Sequence, residues 1–241
     1  MKPEKQNTKS GLIVYGRHAV MAALENSERQ IGRLLCTKEA AAELKGKPAE
    51  NKISVVDKRE IDKLLPRDAV HQGFALMAQP LKNYPLEDIC AATAGYVLIL
   101  DQVTDPQNVG AIVRSAAAFG ALGIIVQDKN SPQESGAMLK AAAGTFEKMP
   151  FCRVTNLARA IEQLKKSGFW IVGMDGYAKE NIDKLDKRGK LAVIMGSEGK
   201  GMRRLVEENC DITVRLPIAP EVESLNVSTA AAVVLYELAR Q

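Results

Sequence analysis

Three polar stretches, each directly behind an apolar run, hold residue types and spacings that could do chemistry. The first is Asp101-Gln-Val-Thr-Asp105-Pro106-Gln-Asn108-Val-Gly110-Ala-Ile-Val-Arg114. Asn108 is placed to cap a helix that begins at Val109, and Gly110 leaves the first turn of that helix without a side chain. Arg114 is the one charge between Asp105 and Asp128. Among Ile112, Val113 and Ala116 its guanidinium either reaches solvent along its apolar stem or points at an anionic site. The second stretch is Gly196-Ser-Glu198-Gly199-Lys-Gly201-Met202. Its glycines let backbone N–H groups approach a ligand, and the helix start behind them favours a carboxylate or other anion. It matches neither the phosphate-loop nor the dinucleotide fingerprint, so nucleoside triphosphates and dinucleotides lose support. The third is Leu216-Pro217-Ile218-Ala-Pro220-Glu-Val-Glu-Ser224-Leu225-Asn226-Val227-Ser228, where Ser224 or Asn226 caps the last helix.

What these loops lack narrows the chemistry further. The chain has 2 His, His18 and His71, so schemes that need an imidazole base have few candidates, and both read as turn or packing residues. Its 4 Cys, at 36, 90, 152 and 210, form no C-x-x-C pair and read as reduced core thiols, so no metal site is expected.

Alternating elements must position the loops. In the first part, residues 17–24, 38–44 and 58–65 read as helical, and 31–36, 53–56 and 74–78 as extended. Two prolines then mark residues 80–94 as a linker. Beyond it, apolar strands are expected at 96–100, 123–127, 169–173, 191–195 and 212–216, with Trp170 in the core. Helices are expected at 109–119, 134–143, 156–166, 202–209 and 226–240. That alternation predicts a mostly parallel sheet covered on both faces, whose ligands lie beyond the carboxyl ends of its strands. The last helix is apolar nearly all round at residues 230–235, as a helix buried between its own sheet and a partner would be.

Composition agrees with a globular protein. The 241 residues are 46% hydrophobic and 26% charged, with a net charge of +4. Residues 1–82 hold 15 Lys+Arg against 10 Asp+Glu, so the basic excess sits in the first third, as suits a segment that approaches a polyanion. No apolar stretch approaches the roughly 18 residues that span a bilayer, and the charged opening is no secretory signal, so a cytoplasmic protein is expected.

Together the three loops resemble the SpoU-type (TrmH-like) family of RNA ribose 2′-O-methyltransferases. The correspondence is to D-x-x-x-D-P-x-N-x-G-A-x-x-R, G-x-E-G-x-G-M and S-L-N-V-S, in that order. The first part resembles the small L30e-like substrate-binding domain of the branch that methylates 23S rRNA guanosine, through Tyr15-Gly16-Arg17-His18-Ala19-Val20 and His71-Gln72-Gly73. One departure is Pro220, where that branch usually carries glycine.

The resemblance implies an α/β SPOUT-type methyltransferase domain over residues 95–241, with a trefoil knot at the carboxyl end of its sheet. The L30e-like domain would cover 12–79, behind a flexible basic start at 1–11. It implies S-adenosyl-L-methionine as cofactor, enclosed by Gly196, Gly199, Gly201, Leu216, Ile218 and Leu225. Arg114 would act on the 2′-hydroxyl, with Asn108, Glu198, Ser224 and Asn226 positioning the reactants. RNA, 23S rRNA first, is the implied partner, and the protein is expected to be a homodimer with each active site near the subunit interface. The alternatives are a tRNA ribose methyltransferase and a non-catalytic RNA-binding relative.

Overall fold

The computed structural model describes residues 11–44, 52–199 and 201–240. Of the basic start expected at 1–11, all but Gly11 lies outside the described residues. The first unit runs β1 (Leu12–Tyr15), α1 (Arg17–Glu25), β2 (Ile31–Cys36), α2 (Lys38–Ala41), β3 (Ile53–Val55), α3 (Lys58–Asp62) and β4 (Phe74–Ala78). Its sheet has the order β1-β4-β2-β3, with β4 antiparallel to both neighbours and β2 parallel to β3. β1 is an addition to the expected elements: four apolar residues carry no period to read, and pairing with β4 is what makes them a strand. His71 is buried and locks the turn before β4. Its Nδ1 accepts from the Gly73 N–H at 3.1 Å, which leaves Nε2 to donate to Asp62 at 3.0 Å.

The segment expected to link the two parts contains a short helix, α4 (Leu86–Cys90), whose Leu86 and Ile89 are buried. The second unit follows as β5 (Gly95–Leu100), α5 (Pro106–Ala118), β6 (Ile124–Gln127), α6 (Gly136–Ala142), β7 (Phe151–Val154) and α7 (Leu157–Lys166). It continues with β8 (Phe169–Met174), β9 (Glu180–Asn181), β10 (Lys190–Met195), α8 (Arg204–Glu207), β11 (Ile212–Arg215) and α9 (Val227–Ala239). These strands form one seven-stranded sheet, β7-β6-β5-β10-β8-β11-β9, parallel at every pairing, as the alternation predicts. The central strands β5 and β10 are buried on both faces and therefore read as unbroken apolar runs. Burying each of their Val, Ile and Leu side chains contributes about 1.5–3 kcal/mol. β7 and β9 lie at the two edges, where mixed polarity hides a strand from sequence pattern.

Two expectations need correction. Asn108 does not cap α5: Asp105 does, accepting from the Gln107 and Asn108 N–H groups at 3.1 and 3.3 Å, with Pro106 in the first turn. An Asp-Pro pair is itself a strong helix start, three residues earlier than the apolar periodicity begins. Trp170 is not in the core. It is 42% exposed at the amino end of β8, while Phe169 and Ile171 on the opposite face are buried.

One hydrophobic cluster runs through both units, joining Val14, Val20 and Leu76 of the first to Ile112, Leu139 and Val193 of the second. A second cluster covers the other face of the large sheet with α4, α7 and α8. Within the shared core α5 lies so close to α6 that a Cβ on Gly110 would fall 2.3 Å from the Met138 carbonyl oxygen and 2.8 Å from Ala141 Cβ. The backbone of α6 cannot yield without leaving its own packing. Gly110→Ala is therefore expected to destabilise the protein by about 1–3 kcal/mol in urea unfolding.

Candidate active site

The chain leaves β5 toward β6 and β7 on one side and returns through β8 and β10 on the other, so the sheet order reverses between β5 and β10. A crevice opens at the carboxyl ends of strands at such a point. The paired register runs from Lys190 opposite Gly95 to Met195 opposite Leu100, which brings the first two loops side by side. They are then tied together. Asp101, fully buried, accepts from the Arg203 N–H at 2.8 Å and from its guanidinium Nε and Nη2 at 2.7 Å each. A buried carboxylate needs such a partner, so this pair holds the start of the first loop against the end of the second.

The second loop folds back on itself. Ser197 and Gly201 exchange N–H···O bonds of 3.1 and 3.0 Å, and Gly199 and Gly201 take positive φ of 75° and 64°. The N–H groups of Ser197 and Gly201 are thus spent inside the loop and do not serve a ligand. The fold-back turns Glu198 toward the third loop. Its Oε1 accepts from Asn226 Nδ2 at 2.8 Å and from the Val227 N–H at 2.9 Å, the first turn of α9. Asn226 Nδ2 also donates to Asn108 Oδ1 at 3.1 Å. Its own Oδ1 accepts from the Ser228 and Thr229 N–H groups at 2.9 and 3.4 Å and so caps α9, a role Ser224 does not take. One asparagine therefore joins all three loops.

Beside this junction lies a cavity of about 900 Å³, within the range of small-molecule sites. Gly196, Gly199, Gly201, Leu216, Ile218 and Leu225 line it, as do Glu198 and Ser224. Leu216 lines the cavity and also packs on the core. Asp175, Glu198, Glu207, Glu221 and Glu223 face Arg215 as the one basic residue among the described lining residues, an excess that favours a cationic ligand. Pro220 stands at the second position of a turn closed by the Val222 N–H on the Ala219 carbonyl at 3.0 Å, where the fixed φ of proline fits.

Asn108 and Asn226 meet at the edge of the cavity, but Arg114 is not brought there. It lies six residues beyond Asn108 on α5, exposed, with no hydrogen bond or ion pair among the described residues. The sequence motifs did not include Met174, Asp175 and Tyr177, which stand at the end of β8 and just beyond it and line the cavity, Tyr177 being 93% exposed at its rim. The rule that ligands sit behind the carboxyl ends of parallel strands was the signal that pointed there. Cysteine chemistry finds no support: burial pushes the Cys152 and Cys210 thiols up to about 11, so neither is a thiolate at neutral pH.

Comparison with known proteins agrees with this geometry. Residues 95–236 match the model of the SpoU rRNA methylase family, and residues 13–84 match that of the RNA 2′-O ribose methyltransferase substrate-binding domain. The 23S rRNA (guanosine-2′-O-)-methyltransferase RlmB of Pseudomonas putida is 40% identical over 95% of this chain and 96% of its own length. The enzyme of that name from Escherichia coli is 37% identical over 95% of this chain and 98% of its own. An uncharacterized tRNA/rRNA methyltransferase of Synechocystis is 37% identical over 95% of this chain, which spans 62% of that longer protein. Among solved structures, the SpoU methyltransferase AviRb of Streptomyces viridochromogenes superposes with a TM-score of 0.81 at 23% identity, over 100% of this chain and 93% of its own. The AdoMet-bound rRNA methyltransferase of Sinorhizobium meliloti gives 0.79 at 23% identity, over 96% and 87%. At those identities the structural likeness is one of fold. The two matched family models and the curated relatives place the chain in the SpoU rRNA methylase family.

Proposed function

We propose that the protein transfers a methyl group from S-adenosyl-L-methionine to a ribose 2′-hydroxyl of RNA, at a guanosine of 23S rRNA, as its RlmB relatives are named for doing. The observation that carries this is the junction of Asn108, Asn226 and Glu198 beside an acidic, partly apolar cavity. The donor set fits the cofactor. Leu216, Ile218 and Leu225 offer an apolar bed for an adenine, and the carboxylates suit a sulfonium and an ammonium. When bound, S-adenosyl-L-methionine supplies a methyl group on a sulfonium, open to in-line displacement by an oxygen. The task left to the chain is to hold that oxygen at near-attack distance and to stabilise it as its charge grows.

Arg114 performs the second task in this proposal. A guanidinium stays protonated at working pH and so acts as a fixed cation toward an alkoxide and an adjacent phosphate, not as a base. Glu198 is the group to receive the proton, directly or through water. Its Oε1 is occupied by two donors, whereas its Oε2 has no hydrogen-bond partner among the described residues and the residue lines the cavity.

The proposal includes a homodimer and a trefoil knot at the carboxyl end of the large sheet. Two features support pairing of copies: Val233 and Tyr236 on the outer face of α9 are 43% and 55% exposed, and Arg114 lies outside the cavity of its own chain. Tyr236 packs edge-on to Phe119 at the end of α5, so the uncovered face adjoins the helix that carries Arg114. The working units in this proposal are 12–79 for substrate and 95–241 for chemistry, and a ribosomal substrate places the reaction in the cytoplasm. No helix among the described residues is long and apolar enough to cross a membrane.

Labelled S-adenosyl-L-methionine incubated with separated ribosomal and transfer RNA tests the assignment. Label is expected in 23S rRNA; label in tRNA alone replaces the substrate, and label in neither favours a non-catalytic binding protein. Arg114→Ala is expected to lower kcat by about a hundredfold or more while cofactor affinity stays within about twofold by calorimetry. Glu198→Gln should shift the pH optimum of transfer, and an unchanged profile assigns the proton to another acceptor. Tyr236→Asp should move the protein toward monomer in light scattering, since a buried unpaired carboxylate is costly at an apolar contact.

A further inference from the structure

Arg29, in the turn between α1 and β2, has a side chain with 0% exposure, and its two carboxylate partners come from the other unit. Its Nη2 and Nε donate to the two carboxylate oxygens of Glu147 at 2.6 and 3.1 Å. Its Nη1 donates to Glu134 and, at 2.9 Å, to the Gln79 carbonyl. The side chains of the two glutamates are nearly inaccessible as well, and each is engaged again from the first unit or the segment that leaves it. Asn26 Nδ2 donates to Glu147 at 2.8 Å, and the Leu81 N–H to Glu134 at 2.9 Å. Burial alone would lower the Arg29 pKa, but its bonds to Glu147 and Glu134 outweigh that and hold it above its usual value.

The placement of the two glutamates matters more than their strength. Glu134 precedes α6 and Glu147 follows it, so one guanidinium grips both ends of that helix. Between them α6 lies directly on β1: a Cβ on Gly136 would stand 2.4 Å from the Ile13 carbonyl oxygen and 2.5 Å from the Tyr15 ring. Its other side meets α5 at Gly110. A continuous packed path thus leads from Arg29 through α6 to the helix that bears Asn108 and Arg114.

We propose that Arg29 is a positioning residue for the RNA: by clamping the first unit to both ends of α6, it sets where RNA held by that unit presents its ribose to α5. This rests on the methyl-transfer reading above. Two RNA contacts on one rigid body act at a high effective concentration, and a hinge between them forfeits that gain. Arg29→Met removes the charge, keeps most of the volume, and leaves two buried carboxylates facing each other.

The test measures the full-length variant in three ways. These are steady-state methylation of ribosomal RNA, calorimetric binding of S-adenosyl-L-methionine, and the distance distribution between spin labels carried by unnatural amino acids at exposed Val55 and Glu162. The expected result is a broader distance distribution and a rise of about tenfold in KM for RNA, larger than any fall in kcat, with cofactor affinity within about twofold. A broadened distribution with unchanged KM overturns the proposal, as does a loss of cofactor affinity in step with KM, which marks a merely structural residue. If Arg29→Met does not fold, Glu147→Gln, which keeps the bond to Glu134, should give a smaller change in the same direction. If wild-type protein methylates no RNA, the reaction assigned above fails. Arg29 is then judged on the distance distribution and ribosomal RNA affinity, and unchanged values of both overturn the clamp.

Discussion

The parallel pairing of β5 with β10 is the constraint on which the chemistry depends. These strands are far apart in the chain, and the pairing continues past the strand ends, where the Asp101 N–H donates to the Met195 carbonyl at 2.8 Å. Without that register the aspartate-rich loop and the glycine-rich loop would not share an edge of the sheet. With it, a buried carboxylate at Asp101 meets Arg203 across the seam and is stabilised by that partner's guanidinium and backbone N–H. The loops are therefore held from below by the sheet and laterally by an ion pair.

The third loop is bound to the other two by less energy and more geometry. Asn226 uses its carbonyl to cap α9 and its amide nitrogen to reach Asn108 and Glu198, while Glu198 also receives the Val227 N–H at the positive end of that helix. Hydrogen bonds to a charged group are worth about 1.5–3 kcal/mol each and the neutral ones about 1. The sum is modest beside a core that buries whole strands, yet it decides the direction in which each side chain points. A junction built this way keeps its polar groups accessible, since none of the three needs burial to be ordered.

The two units are joined more intimately than a linker would require. A single hydrophobic cluster crosses between them, and α6 is packed on β1 from one side and on α5 from the other. The first unit is thereby connected to α5 through side chains and backbone already in contact.

Much of this was legible in the residues. The alternation of apolar runs and helices named β2, β4, β5, β8, β10 and α9 to within a residue or two, because strands buried on both faces need unbroken apolar stretches and a capped helix announces its start. Gly196, Glu198, Leu225, Asn108 and Asn226 were visible as three ordered motifs, since motif spacing within a loop is a local property. The edge strands β7 and β9 were not legible, having no face that must be apolar throughout. Nor was the capping of α5 by Asp105, where the Asp-Pro signal competed with the apolar period. The position of Arg114 outside the cavity, the pairing of Asp101 with Arg203 and the grip of Arg29 on Glu134 and Glu147 were decided by the tertiary structure alone. Residue type and spacing determine which groups are available and which elements form. Which distant groups meet depends on strand order and helix packing, long-range terms that no window of the chain contains.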